Sequence, residues 1–282
     1  CEFQNNISIS HLNLNHFSLV HCNLHGSFKL SNINFQGNVL FNNTKLKKLH
    51  LINLSIPKRL VISKCSISEK IDFSLCKEIN LMSINNSNLL ESAYFDRIGK
   101  ELLGVGTQFK KGIQFGPTNS YSIKFLSCHF KEYFSAPEFM EVQDFEVEDC
   151  NMEYPISFNN WMFNGKVSFS FSKITGDFEF YNCIFQKSAN FSNLKNLRDI
   201  TNFRNCTFNE ICLFHNSIIN ELQLDGTFGA KGFLFNNSKI EKSNTNGFRV
   251  IKDSFLKQNN KIEALNYFQK EMQEYSSDLK RV

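Results

Sequence analysis

The feature that most constrains this chain is a six-residue pattern, aromatic-x-Asn-small-x-apolar, that keeps returning at a nearly fixed interval. It reads Phe180-Tyr181-Asn182-Cys183-Ile184-Phe185, Phe203-Arg204-Asn205-Cys206-Thr207-Phe208, Phe214-His215-Asn216-Ser217-Ile218-Ile219 and Phe235-Asn236-Asn237-Ser238-Lys239-Ile240. Far upstream it returns as Phe41-Asn42-Asn43-Thr44-Lys45-Leu46, and looser copies begin at Ile62, Phe125 and Val147. Neighbouring copies stand 21 residues apart (41 to 62), 22 (125 to 147), 23 (180 to 203) and 21 (214 to 235), with one half-step of 11 (203 to 214). A shorter small-Asn-apolar pattern runs between them, as at Cys22-Asn23-Leu24, Ser31-Asn32-Ile33, Ser87-Asn88-Leu89 and Ala189-Asn190-Phe191. Steps near five residues fit neither a helix period of 3.6 nor a long flat strand of period two. They predict a coil of short straight sides joined by tight corners, with each large residue on the axis and a small one packed beside it.

Composition supports a coil of this kind. Among 282 residues there are 31 Phe and 36 Asn, against one Trp and four Pro. Stacked Phe would fill the axis, and Asn would take corners or hydrogen-bond along the outside. Scarce proline suits a chain that needs its backbone donors for ladders. The aromatics pair with small residues rather than alternating with Lys or Arg, so direct nucleic-acid readout is not expected. No apolar run approaches the ~18 residues of a membrane helix. The nine cysteines contain no C-x-x-C, and seven of the eight after Cys1 precede a large apolar residue by two positions. Ser, Thr and Ala fill the same slot elsewhere, so it is read as a small-volume slot holding reduced, structural thiols, which favours the cytoplasm. Cys1 is read as an ordinary residue rather than a lipidated one.

The pattern resembles that of the pentapeptide-repeat proteins, whose unit is a small residue, Asp or Asn, Leu or Phe, and two variable residues. The likeness covers residues 7–90 and 108–245 with many degenerate units. It implies an all-β solenoid over 1–246, a right-handed quadrilateral parallel β-helix of ~20 residues per turn and about ten coils. A parallel β-helix of another cross-section is the alternative. Interruptions are expected near 92–117, as a loop or distorted coil, and near 131–144. From 247 to 282 the texture becomes helical: Gln258-Asn259-Asn260 makes a turn, then Ile262, Leu265, Phe268, Met272, Tyr275 and Leu279 recur every three or four residues. A helical hairpin capping the last coil is the plain reading. Phe248-Arg249, Lys252, Ala264, Tyr267-Phe268 and Glu271-Met272 also resemble the segment that joins repeats to C-terminal membrane helices in bacterial pentapeptide-repeat membrane proteins. That resemblance implies membrane association through sequence beyond this chain.

A net charge of +4 hides a gradient: residues 1–68 hold seven bases and one acid, residues 132–153 eight acids and no base. Such runs are first of all solvated faces. The candidate partner-binding residues are Glu138, Glu141, Asp144, Glu146, Glu148 and Asp149 in the acidic run, Lys45, Lys47, Lys48, Lys58 and Arg59 in the basic one, and Phe268, Met272 and Tyr275 on the last helix. Chemistry is not signalled. H-E-x-x-H and G-x-S-x-G are absent, and Gly104-x-Gly106 lacks its third glycine, with Phe109 in that place. His11, His16, His21 and His25 are spaced like coil corners, and solvated corners are the simpler reading than a metal site. No catalytic residue, cofactor or metal is expected. The expected function is a non-enzymatic protein-interaction scaffold, the cytoplasmic sensing or regulatory part of a larger membrane-associated bacterial protein at the inner face of the membrane. It would meet a protein partner, or itself, through the C-terminal helices. The alternatives are a DNA-mimicking topoisomerase-binding protein, as some family members are, which needs acid along its length, and a β-helix carbohydrate-active enzyme using Asp144, Glu146 and Asp149.

Overall fold

In a computed structural model the chain is a parallel β-solenoid of about 11 turns followed by two C-terminal helices. The structure describes residues 1–282 except 74, 75, 77, 96, 97, 117–121, 136 and 282. One long sheet carries the register from Glu2 to Asn23, Lys45, Ser66, Asn88 and Gln108, then His129, Asn151, Lys173, Lys195, Ile218 and Lys239. The shortest step is 20 residues (Asn88 to Gln108) and the longest 23 (Lys195 to Ile218), so the sequence interval is the length of one turn. A second sheet stacks Phe17, Val39, Leu60, Met82, Leu102, Ile123, Phe145, Val167, Ala189, Cys212 and Phe233. A third, five-stranded sheet joins from Met140–Val142 onward.

The corners explain the asparagines. One residue per turn adopts the left-handed conformation: His21, Asn43, Lys64, Asn86, Gly106, Ser127, Asp149, Phe171, Asn193, Asn216 and Asn237, with φ between 46° and 59°. A second column holds His11, Asn32 and Asn53, then Asn160, Asn182, Asn205 and Gly226. That conformation costs an L-residue about 1–2 kcal/mol, and Asn and Asp accept it most readily after Gly. The side chains also form ladders, Asn53 Nδ2 donating to Asn32 Oδ1 at 2.6 Å and Asn182 Nδ2 to Asn160 Oδ1 at 3.1 Å. Phe171 breaks the rule, being a bulky ring at φ 59° and 66% exposed. Phe171→Asn is therefore expected to raise stability by about 1 kcal/mol. A denaturation midpoint that fell would mean that the exposed ring is held by a contact worth more than the strain.

Inside, phenyl rings stack in columns one turn apart. Phe158, Phe180 and Phe203 stack with centroids 4.9 and 5.0 Å apart, and Phe163, Phe185 and Phe208 with 4.8 and 4.3 Å. Phe169, Phe191, Phe214 and Phe235 make a third column. A ladder spacing of ~4.8 Å brings rings in the same column face to face, while rings of different columns meet edge-on. The small slot is buried at Thr44, Cys65, Ser87, Thr107, Cys128, Cys150, Ser172 and Ser217. It needs a donor as well as a small volume. Thr107 Oγ1 donates to the Ile84 carbonyl of the turn below at 3.0 Å, Ser172 Oγ to Val147 at 2.9 Å, and Cys150 Sγ to Glu148 at 3.3 Å. All nine thiols are free and eight are buried. Burial pushes the Cys65 and Cys212 thiols up, away from the reactive thiolate.

Of the loop or distorted coil expected at 92–117, the residues described there form a coil of the solenoid with one irregularity and not a loop. Residues 101–105 pair in register on both sides, Gly104 with Ile84 and with Phe125, after a register shift between Ile98 and Glu101. Gly106 takes the corner, Thr107 the small slot and Phe109 the apolar position, so the repeat continues through these residues. A Cβ on Gly104 would lie 2.6 Å from the Phe125 ring, which occupies the space an aromatic would fill there. Asp96, Arg97, Pro117 and Ala136, parts of the two expected interruptions, lie outside the described residues. Across 131–144, Phe134–Ser135 and Met140–Val142 remain in ladders, and Phe139 between them is exposed.

Candidate functional site

The solenoid ends in a helical hairpin whose first helix does most of the capping. Asn244 begins α1 (Thr245–Lys257), its Oδ1 accepting from the Gly247 amide at 2.8 Å. Phe248, Ile251, Ser254 and Phe255 are buried, and Ser254 Oγ donates to the Phe233 carbonyl of the last turn at 2.6 Å. Asn259, at φ 57°, reverses the chain, and Asn260 Oδ1 accepts from the Glu263 amide at 3.2 Å to open α2 (Lys261–Arg281). Helix α2 is fastened through Ala264, Tyr267 and Glu271. Tyr267 stacks on Phe255 with centroids 5.5 Å apart, and Lys270 Nζ reaches the Ile240 carbonyl at 2.8 Å. Glu271, with its side chain 3% exposed, takes Arg249 Nε at 2.9 Å and Lys252 Nζ at 2.8 Å. Burial pushes its carboxyl up, but the hydrogen bonds from Lys252 and Arg249 outweigh that and hold it below the usual carboxylate range. The residues of the second resemblance thus include the hairpin's own clamp.

The periodic apolar residues of α2 do not form this clamp. Ile262, Leu265, Phe268, Met272, Tyr275 and Leu279 are between 40% and 76% exposed and run along the outer face of the helix. A cap would have been expected to bury them. Instead the structure brings Phe268, Met272 and Tyr275 together in a stripe that also takes in Ile262, Leu265 and Leu279. Lys252 Nζ lies over the Phe268 ring, 5.6 Å from its centre.

The charged candidates are scattered. A run of sequence wraps around a turn, so only residues about one turn apart share a face. Glu138 is exposed in the bend before the third sheet, Glu141 lies on that sheet and accepts from Asn164 Nδ2 at 2.7 Å, and Asp144, Glu146 and Glu148 lie on the second sheet. Asp149 stands at a corner, accepting from Ser127 Oγ at 2.8 Å. Lysines of adjacent turns neutralise the middle of the run, Lys124 and Lys166 reaching Glu146 at 3.0 and 2.6 Å. In the basic run, Lys47 and Lys48 pair with Glu69 at 3.3 and 3.0 Å, and Lys45 shares their strand. Lys58 and Arg59 stand on a strand of the second sheet.

The N-terminal histidines occupy separate places. His21 meets Asn43 at 2.7 Å, His25 meets Glu2 at 2.9 Å, and His16 accepts from the Asn38 amide at 3.1 Å. Among the described residues no group of three or more His, Cys, Asp or Glu converges as a metal site, and no helix is long and apolar enough to cross a membrane. No protein-family model, curated protein or solved structure matches this chain.

Proposed function

We propose that this chain is a non-enzymatic protein-interaction scaffold of pentapeptide-repeat type, a right-handed four-sided rod that docks through its C-terminal hairpin. The observation that carries the reading is the exposed apolar stripe of α2, six large apolar residues along one face of a helix, the kind of surface that marks an interaction site. The solenoid interior supports it, because among the described residues stacked rings fill the axis. The resemblance of 248–272 to the junction of membrane-anchored relatives supports a cytoplasmic regulatory role beside a bacterial membrane, with the anchor outside this sequence. Phosphate mimicry is disfavoured because the acids lie on several faces and Glu146 is already paired with two lysines.

Cross-linking of the natural protein in its own cell extract, read by mass spectrometry, tests the reading. Lys261 and Lys280 on α2 should carry the intermolecular links, well ahead of the exposed flank residues Lys173 and Lys195. Links concentrated on the flank, or none from α2, would overturn it.

A further inference from the structure

The charge of this rod is sorted by face. The first long sheet turns two columns of side chains outward, one from Glu2 to Lys239 and one two residues further on, from Gln4 through Lys110 and Lys131 to Glu241. Together they hold seven lysines and three glutamates, a net +4 that equals the charge of the whole chain, so the rest of the molecule is balanced. Each glutamate already has a base of the same face: Glu2 has His25 at 2.9 Å, Glu153 has His129 at 2.5 Å and Glu241 has Lys239 at 2.7 Å. Lys45, Lys110, Lys131, Lys173 and Lys195 are exposed, with no carboxylate partner among the described residues. On the second sheet Lys124 stands opposite Glu146. Here Lys173 stands directly opposite Lys195, and Lys110 lies one turn from Lys131, like against like, an arrangement that destabilises a sheet. The same stretch exposes apolar side chains. Phe171, strained at φ 59°, stands two residues before Lys173, and Leu197 and Ile218 flank Lys195.

We propose that this face lies on an anionic lipid bilayer, with its lysines at the level of the headgroups and Phe171, Leu197 and Ile218 entering the interface. The surface is a different one from the α2 stripe, and the inference goes beyond the docking role given to that helix. Lys45 and Lys195 stand seven turns apart, about 34 Å at the ladder spacing, so the charge is spread along a plane rather than gathered in a pocket. Proteins that bind at a membrane surface combine attraction of lysines to anionic headgroups with burial of a few apolar side chains. Protein interfaces, by contrast, are depleted in lysine. A polyphosphate chain would engage the lysines but offer Leu197 and Ile218 nothing, since its bases stack on aromatic platforms. The strain at Phe171 then has a use, because an exposed ring is kept in a costly conformation where lipid takes it up.

The test mixes the full chain with vesicles of phosphatidylcholine alone, or of equal parts phosphatidylcholine and phosphatidylglycerol. The chain should sediment with the anionic vesicles only, and added salt should release it. Lys173→Ala combined with Lys195→Ala should weaken binding about thirtyfold, at about fivefold per lysine. Lys187→Ala, in the same turn as Lys173 but at the corner between the other two sheets, should change it less than about twofold. Phe171→Asn should weaken binding about tenfold while stabilising the fold, a pair of results that misfolding does not produce. Phe171→Trp should shift its added fluorescence to the blue on anionic vesicles. A chain that binds without that shift docks by another face and overturns the proposal. So does a chain that ignores anionic vesicles, or one whose binding survives the paired lysine change. Cross-links from Lys173 and Lys195 to another protein in cell extract would make the occupant a protein and overturn it as well. Links from α2 judge the scaffold reading separately.

Discussion

Phe180→Ala should destabilise the solenoid by about 3–5 kcal/mol, the range for removing a fully buried ring. Phe180 is 0% exposed, stacks between Phe158 and Phe203, and meets Phe178, Phe185 and Phe191 edge-on. Its neighbours are held by ladders on both sides and cannot collapse into the space, so the cavity would persist. Trp161, buried two residues before Phe163 and 5.0 Å from Phe158, reports on the same turns through its fluorescence. A urea titration followed by Trp161 should show the loss. A change below about 1 kcal/mol would mean that the rings are loosely packed and would undermine the account of the core.

Glu271→Ala should release α2, at a cost of about 3 kcal/mol, because Lys252 would be left partly buried without its acceptor. The loss should be local: amide exchange in α2 should accelerate while the middle turns remain protected. The wild-type clamp also has a pH signature. The folded-state carboxyl is held below its ordinary value, so its contribution is complete above the unfolded-state value of about 4.3 and fades as pH falls through the lower folded value. Helix α2 should therefore loosen in acid, and Glu271→Gln should remove that dependence. Equal acid sensitivity in the variant would show that other carboxylates hold the hairpin.

How much of this was legible depends on which physical term wrote each residue. The Phe and Asn positions are set by the turn itself, one by stacking on the axis and the other by a left-handed corner, so the chain repeats them and the solenoid can be read. The turn through Gly104 and Gly106 was hidden for the same reason. Phe125 fills the space that belongs to an aromatic, and glycine accepts the corner in place of asparagine. Acidic and basic runs were legible as composition but not as surfaces, because neighbours in sequence stand on different sides while Lys124, Glu146 and Lys166 meet across turns. On α2 the periodicity gave the helix and its apolar stripe, yet 3.6-residue spacing is the same whether a stripe is buried or bare. The distinguishing signal was the placement of charge, with Glu263, Lys270, Glu271 and Glu274 on the opposite side from Met272.

Because each turn touches only the turn before it and the turn after it, length is a separable property of this molecule. Duplication or loss of one genetic unit of 20 to 23 codons would lengthen or shorten the rod by one rung and leave both ends chemically intact. A gain or loss of a single codon is absorbed inside one turn, as the register shifts before Leu81 and Ile200 absorb it here. Evolution can thus adjust the distance between the far end and the hairpin in rungs of about 4.8 Å, as on a ruler.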